Sequence, residues 1–339
     1  MDSLTQIVLG AAVAEAVAGK EMGNKAALWG AVAGTIPDLD VFVGQLFHPI
    51  DAALIHRGFS HSLLFAILAG PLLGYLIHRF YSKKHPLQLW IGLFFLGIVT
   101  HPMLDMFTNY GTQFLWPFSW RITFNSVFVI DPLYTLPFLV FLLIALFHGR
   151  ENPRRRWWNW TGIIWSCSYL LWGVIVKLTV LNEAPNYFPT NKNRPTIKLV
   201  TPMPLTSFYW MILAEDRTHY YVAYKSIFSS FQPEHTDSIR KTTVAPDKLQ
   251  WQGHNYSQQL AFISDGNFVI NKTQKGYIFS DLRFGVSSAM TSGKFNKPIM
   301  GFELIEKRKK IIQVSRHRPQ ELMDHITFEN YLQRVFGKK

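Results

Sequence analysis

The sequence predicts an α-helical membrane bundle, about four full spans plus a short N-terminal helical hairpin, followed by a small soluble, mainly antiparallel β domain. Three observations predict it. Long apolar runs are confined to residues 1–182. Lys and Arg gather in alternate connections between those runs. Beyond residue 204 the apolar runs become short and alternating, separated by turn signals. The organisation is therefore a helical membrane domain (1–182), a linker rich in Asn, Pro, Thr and Lys (183–204), and a β-rich domain (205–339).

The first two stretches, Leu4–Ala18 and Ala26–Ile36, are apolar but fall short of the roughly 20 residues needed to span alone. They are rich in small residues (Gly10, Ala11, Ala14, Ala18, Gly30, Ala33 and Gly34), which suit close helix packing. They read as a tight hairpin inside the bundle. The N-terminus lacks the basic region of a cleaved signal peptide, so the first helix is expected to be retained.

Longer runs follow at Ser62–Tyr81, Leu87 to about Leu104, Val127–Phe147 and Trp157 to about Leu181. Each is long enough to span. Trp90, Trp116, Trp120, Trp157, Trp158 and Trp160 lie near run ends, as interfacial anchors do. Orientation comes from the basic residues. Lys20 and Lys25, then Arg79, Lys83 and Lys84, then Arg150, Arg154, Arg155 and Arg156 mark three turns as cytoplasmic. Segments 37–61 and 105–130 and the C-terminal half are then expected outside. This assignment used Lys and Arg alone, yet Asp38, Asp40, His56, His61, His101, Asp105 and Asp131 all fall at the outer end.

Charge and cysteine content narrow the chemistry. The net charge of +12 has its explanation in those short loops, so no nucleic-acid partner is expected. The basic tract 306–310 reads as a solvated face. A single cysteine, Cys167, excludes disulfides within the chain and Cys-rich zinc sites. A metal site must then use His, Asp and Glu.

Four elements supply such residues. They are Asp38 with Asp40 after a helix end, His56-Arg57-Gly58-Phe59-Ser60-His61, His101 with Asp105, and Asn125 with Asp131. His101 and Asp105 are four apart and share one helical face. Both are costly to bury in lipid without partners. Imidazole and carboxylate donors suit zinc, with manganese or iron as alternatives. Arg57 could hold an anionic group such as phosphate. Read singly, each element has a plainer account: Asp-x-Asp as a helix cap, a His as interfacial, His101 and Asp105 as a structural pair.

Residues 1 to about 150 resemble the YdjM-type membrane-bound metal-dependent hydrolases of bacterial inner membranes. The matching stretches are Met1-Asp2-Ser3-Leu4-Thr5-Gln6, Ile36-Pro37-Asp38-Leu39-Asp40, His56 to Ser62, Thr100 to Asp105 and Asn125 to Pro132. The resemblance implies metal-dependent hydrolysis with Asp38, Asp40, His56, His61, His101 and Asp105 as ligands. Many members carry Thr-His where this chain has Thr5-Gln6; if that His is a ligand, Gln6 is a weaker one or the site holds one metal fewer, and Gln6, Asn125 and Asp131 are expected in a supporting shell. The group is distantly similar to the helical fold of zinc-dependent phospholipase C and nucleases, which points by analogy to phosphoester hydrolysis.

The C-terminal half shows short runs at Ser207–Leu213, Tyr220–Phe228, Leu260–Ile263, Phe268–Ile270, Tyr277–Phe284 and Met300–Ile305, then a short helix near His325–Val335. Asp265-Gly266-Asn267 is a hairpin-type turn signal. Asp281 and Arg283 read as a solvated pair on one strand face. No catalytic constellation stands out there.

The expected function is metal-dependent hydrolysis of a phosphoester or lipid-linked substrate at the outer membrane–water interface. A metal-activated water would attack, with Asp40 as general base and Arg57 assisting. Membrane lipids are the expected surroundings, and the bacterial cytoplasmic membrane the expected location. The competing reading is a non-catalytic scaffold or stress-response protein with a structural His/Asp cluster. A transporter fits less well, because the polar groups lie at span ends rather than centres.

Overall fold

The computed structural model describes residues 1–81, 84–188, 194–229, 236–241, 244, 246–286, 298–317 and 328–337. Lys83 and His325 lie outside the described residues. The chain divides into two compact units. One comprises Met1–Val43, Ile55–Ile175 and Pro204–Thr206; the other comprises Gly44–Leu54, Val176–Met203 and Ser207–Lys339.

The first unit is helical. α1 (Ser3–Met22) begins at Asp2, whose carboxylate accepts from the Thr5 N–H in an N-cap. It ends at Gly23, whose φ of 60° makes the turn into α2 (Asn24–Thr35). The two helices touch backbone to backbone. A Cβ on Gly10 would lie 2.3 Å from the Gly30 carbonyl oxygen, and one on Gly34 2.6 Å from that of Gln6. A 3₁₀ turn (Ile36–Leu39) and the short α3 (Asp40–Gly44) continue α2. After α4 (Pro49–Ile55) come α5 (Leu63–Phe80), α6 (Leu87–Asp105), α7 (Pro132–Phe147) and α8 (Pro153–Glu183).

Among the described residues there are four candidate spans: Asn24–Gly44, Leu63–Phe80, Leu87–Asp105 and Pro153–Tyr187. They are not the four longest runs of the sequence. The stretch from α2 to α3 reaches span length because the 3₁₀ turn does not interrupt it. α7 is shorter, since Asp131 caps it and sets its start at Pro132. Trp90 is fully buried rather than interfacial, packed edge-to-face on Trp29 at 6.0 Å. Trp116, Trp120, Trp157 and Trp160 are exposed.

One end of this unit carries a buried ion pair. Arg155 donates from Nε and Nη2 to Glu15 at 2.6 and 2.7 Å, and from Nη1 to Asn24 and the His148 carbonyl. The end made by the start of α1, the end of α2, the start of α5 and the end of α6 holds the His/Asp residues.

Among its described residues, the second unit contains two four-stranded antiparallel meanders. The first runs in the order β1 (Thr196–Pro202), β2 (Tyr209–Glu215), β3 (His219–Ser226), β4 (Thr236–Arg240). The second is β5 (Phe268–Thr273), β6 (Gly276–Val286), β7 (Pro298–Lys307), β8 (Lys310–His317). Strand β1 lies inside the stretch that reads as a linker, because its apolar positions pack only once β2 is alongside.

Period-two alternation explains why β2 is buried on both faces. Trp210, Ile212 and Ala214 pack with Val176, Val180 and Tyr187, while Tyr209, Met211 and Leu213 pack with Val269, Leu282 and Tyr331. Leu260–Ile263, which reads as a strand, closes α9 (Ser257–Ile263) instead. Asp265 and Gly266, with φ of 53° and 72°, then turn that helix into β5. Asp281 and Arg283 are buried rather than solvated, paired at 2.7 Å. The basic tract 306–310 runs through the β7–β8 turn, exposed from Lys307 to Lys310, with positive φ at Arg308 and Lys309.

Candidate metal centre

The 3₁₀ turn after α2 carries Asp38, a second 3₁₀ turn (Phe59–His61) carries His61, and the last turn of α6 carries His101 and Asp105. The irregular segment 106–131 secures the second of these. Gln113 N–H donates to the Arg57 carbonyl, and Leu63 N–H donates to that of Phe114.

Three donor atoms form a nearly equilateral triangle. His61 Nε2 and His101 Nε2 are 3.2 Å apart, and Asp38 Oδ1 is 3.4 Å from each. Asp105 Oδ2 lies 3.7 Å from His61 Nε2 and 4.0 Å from His101 Nε2. A tetrahedral ion with bonds of ~2.0–2.1 Å separates its ligand atoms by about 3.3–3.4 Å. The triangle has that edge.

The far side of each imidazole is also occupied. His101 Nδ1 is 2.6 Å from the Gly34 carbonyl oxygen, an acceptor only, which assigns the proton to Nδ1. His61 Nδ1 is 3.0 Å from Ser60 Oγ and 3.4 Å from Asp40 Oδ2, which assigns its proton likewise. Both Nε2 atoms are then lone pairs, facing each other and two carboxylates. The Arg57 guanidinium and the Met1 amino group offset Asp105, and a cation within the triangle would offset the remaining repulsion among Asp38 and the two lone pairs. A carbonyl or carboxylate behind each imidazole is the usual support of a metal ligand. Asp105 Oδ2 is buried with no hydrogen bond of good geometry, and the Arg57 guanidinium lies 3.3 Å from it. The residues fit a divalent metal.

Burial alone would lower the His61 pKa. Hydrogen bonds to Asp38 and Asp40 and the charge of Asp105 outweigh it and hold His61 above its ordinary value. A proton and a metal are alternative occupants of the same electrostatic well.

The other predicted residues take distinct places. Asp40 faces away from the triangle. Its Oδ1 is 2.7 Å from His56 Nδ1, and its Oδ2 accepts from Ser60 and, at 3.4 Å, from the Arg57 N–H. His56 is part-exposed and forms a second metal-capable group with Asp38 and His61, donor atoms within 4.8 Å of one another. Arg57, at a φ of 69°, turns inward. Its Nη2 is 3.3 Å from Asp105 Oδ2, its Nη1 donates to Thr108, and its guanidinium lies 4.6 Å from the Tyr110 ring. Gln6 donates to Asp105 Oδ1 at 3.0 Å and to the His101 carbonyl at 3.3 Å.

Asn125 and Asp131 are engaged elsewhere. Asn125 Oδ1 accepts from Thr123. Asp131 caps α7 by accepting from Leu133 and Tyr134 N–H, and accepts from Tyr169 at 2.9 Å. Sequence reasoning missed Ser60, Thr108 and the Gly34 carbonyl, and also the Met1 amino group, which pairs with Asp105. Ser60 had a signal, lying inside the His56–His61 motif. A backbone carbonyl has none.

Residues 1–180 match the YdjM inner membrane protein family. The chain belongs to that family. Its family and its apolar helices fit a multi-pass inner-membrane protein. Relatives include the Uncharacterized protein YfhP of Bacillus subtilis (strain 168), 29% identical over 45% of this chain and 48% of its own length. The Inner membrane protein YdjM of Escherichia coli (strain K12) is 38% identical over 25% of this chain and 46% of its own. The Inner membrane protein YbcI of the same organism is 30% identical over 32% of this chain and 66% of its own. The chain thus spans about half the length of the first two relatives. No solved structure matches.

Proposed function

We propose that this YdjM-family protein is a membrane-embedded, metal-dependent hydrolase. Asp38, His61 and His101 are the ligands of one divalent ion, zinc by its donor set, with manganese or iron as substitutes. The carrying observation is the 3.2–3.4 Å triangle of two imidazole nitrogens and one carboxylate oxygen. Asp105, slightly farther off, stands at the fourth position. A bound divalent ion supplies Lewis acidity there and lowers the pKa of a coordinated water.

The chain's own groups supply the rest. His56, exposed on one side and held at Nδ1 by Asp40, is arranged as a proton acceptor oriented by a carboxylate. Asp40 thereby acts through His56. Arg57 balances the charge of Asp105. Leu39, Val41 and Phe42 beside the acidic pair are exposed and apolar, which favours a lipid-linked or phosphoester substrate at headgroup depth. The basic turns favour an outer-facing site, with the C-terminal β unit outside.

A second reading has one specific observation in its favour. Four donor atoms converge, and a closed tetrahedral shell is the mark of a structural site. Metal analysis of the purified chain, joined to turnover of phosphomonoester, phosphodiester and phospholipid panels, separates the readings. Catalysis requires bound metal and turnover, and His56→Ala should keep the metal while lowering turnover at least 100-fold, at the low end of general-base effects. Metal without turnover supports the structural centre. Metal-free wild type overturns both.

A further inference from the structure

The β-rich unit includes a piece of chain far from it in sequence. Residues 44–54 join the stretch bearing Asp38 and Asp40 to the stretch bearing His56 and His61, and they pack as part of that unit. Three contacts hold them. Ile50 is fully buried in one core cluster with Leu249, Leu260, Phe279 and Leu304. The Tyr256 hydroxyl donates to Asp51 Oδ2 at 2.9 Å. The His48 ring stacks on the Tyr256 ring at 4.3 Å, with planes 9° apart.

We propose that Tyr256 is a positioning residue for the metal centre, and that the β unit sets the spacing between the two ligand-bearing stretches by gripping the connector between them. The connector leaves little slack. α4 runs to Ile55, immediately before His56, and α3 starts at Asp40 itself and ends at Gly44. A displacement of Asp51 is therefore passed along a short helical path to His56 and on to His61. The Tyr256 side chain acts twice, by hydrogen bond on α4 and by ring stacking on the residue before it. Ile50 supplies the apolar anchor that keeps both contacts in register. This rests on the metal reading above for its functional consequence, though not for its mechanics.

The test uses the full-length chain in detergent micelles. Tyr256→Phe, which keeps the ring and removes the hydroxyl, should weaken Zn²⁺ binding in competition with a chromophoric chelator by roughly fivefold, the weight of one hydrogen bond. Asp51→Ala, which removes the acceptor, should do the same, and the double variant should lose no more than either alone. Tyr221→Phe removes an equivalent hydroxyl–carboxylate bond to Asp216 in the first sheet and should leave binding unchanged. Hydrogen exchange gives the readout that needs no metal. Segments 36–43 and 55–62 should exchange faster in Tyr256→Phe than in wild type or Tyr221→Phe. Faster exchange confined to 45–54 would overturn the proposal. If wild type binds no Zn²⁺ while 36–43 and 55–62 still loosen, the metal reading fails and the positioning role stands.

Discussion

Asp38 and Asp40, two positions apart, lie on opposite sides of the His61 imidazole. Asp38 Oδ1 is 3.4 Å from Nε2, and Asp40 Oδ2 is 3.4 Å from Nδ1. Two neighbouring carboxylates of one turn thus face different chemistry, one toward the donor triangle and one toward the proton that orients the ring.

Asp38→Asn and Asp40→Asn should therefore differ in kind. The first removes a charged donor and should leave purified protein with metal near background. The second leaves the triangle intact and loosens only its support, which typically costs about 10–100-fold in affinity. Elemental analysis with chelator competition distinguishes them, and equal loss in both would contradict the geometry.

Metal retention should fall with pH earlier than for an ordinary histidine. Binding needs a neutral imidazole. The His61 pKa is raised above 6.5, so protonation begins displacing metal above pH 6.5 as the solution is acidified. In metal-free protein the sign reverses. The stabilisation from the His61 proton is complete below 6.5 and is lost as pH rises through the folded-state pKa. Metal content after dialysis across the pH range, and the unfolding midpoint of chelator-treated protein, report the two halves.

At the other polar end of the bundle, Glu15→Ala should destabilise by about 3–5 kcal/mol, because it leaves the Arg155 guanidinium buried without its carboxylate. Glu15→Met with Arg155→Met should lose much less. Denaturant unfolding in micelles measures both, and a larger loss in the double variant would show that the pair stabilises beyond charge compensation.

Gly10→Ala should cost roughly 1–3 kcal/mol by overpacking, since its Cβ would sit 2.3 Å from the Gly30 carbonyl oxygen. It should also weaken metal binding. Pushing α1 from α2 shifts Gly34, whose carbonyl fixes the His101 ring. Gly92→Ala, where a Cβ would meet only Val17 at 3.7 Å, is the matched control in the same bundle.

The convergence of His61, His101, Asp38 and Asp105 was legible because helical period and basic-loop asymmetry place them at one end. The division of labour was not. Asp-x-Asp looks symmetrical in sequence, and only the 3₁₀ turn decides which carboxylate meets which nitrogen. Asp131 looked like a member of the cluster because it precedes a proline at the right end, but a cap at α7 satisfies its oxygens. Leu260–Ile263 is too short a run for periodicity to tell strand from helix. The inclusion of residues 44–54 in the β unit rests on Ile50 meeting partners some 200 positions later, a distance at which local pattern carries no signal.

The Glu15–Arg155 pair also bears on how the protein is made. The two residues are 140 positions apart. At a synthesis rate of roughly 5–20 residues per second, the carboxylate exists for on the order of 10 s before its guanidinium is made. The tie between α1 and α8 therefore forms only after α8 has been made, and until then α1 is held at this end by other contacts alone.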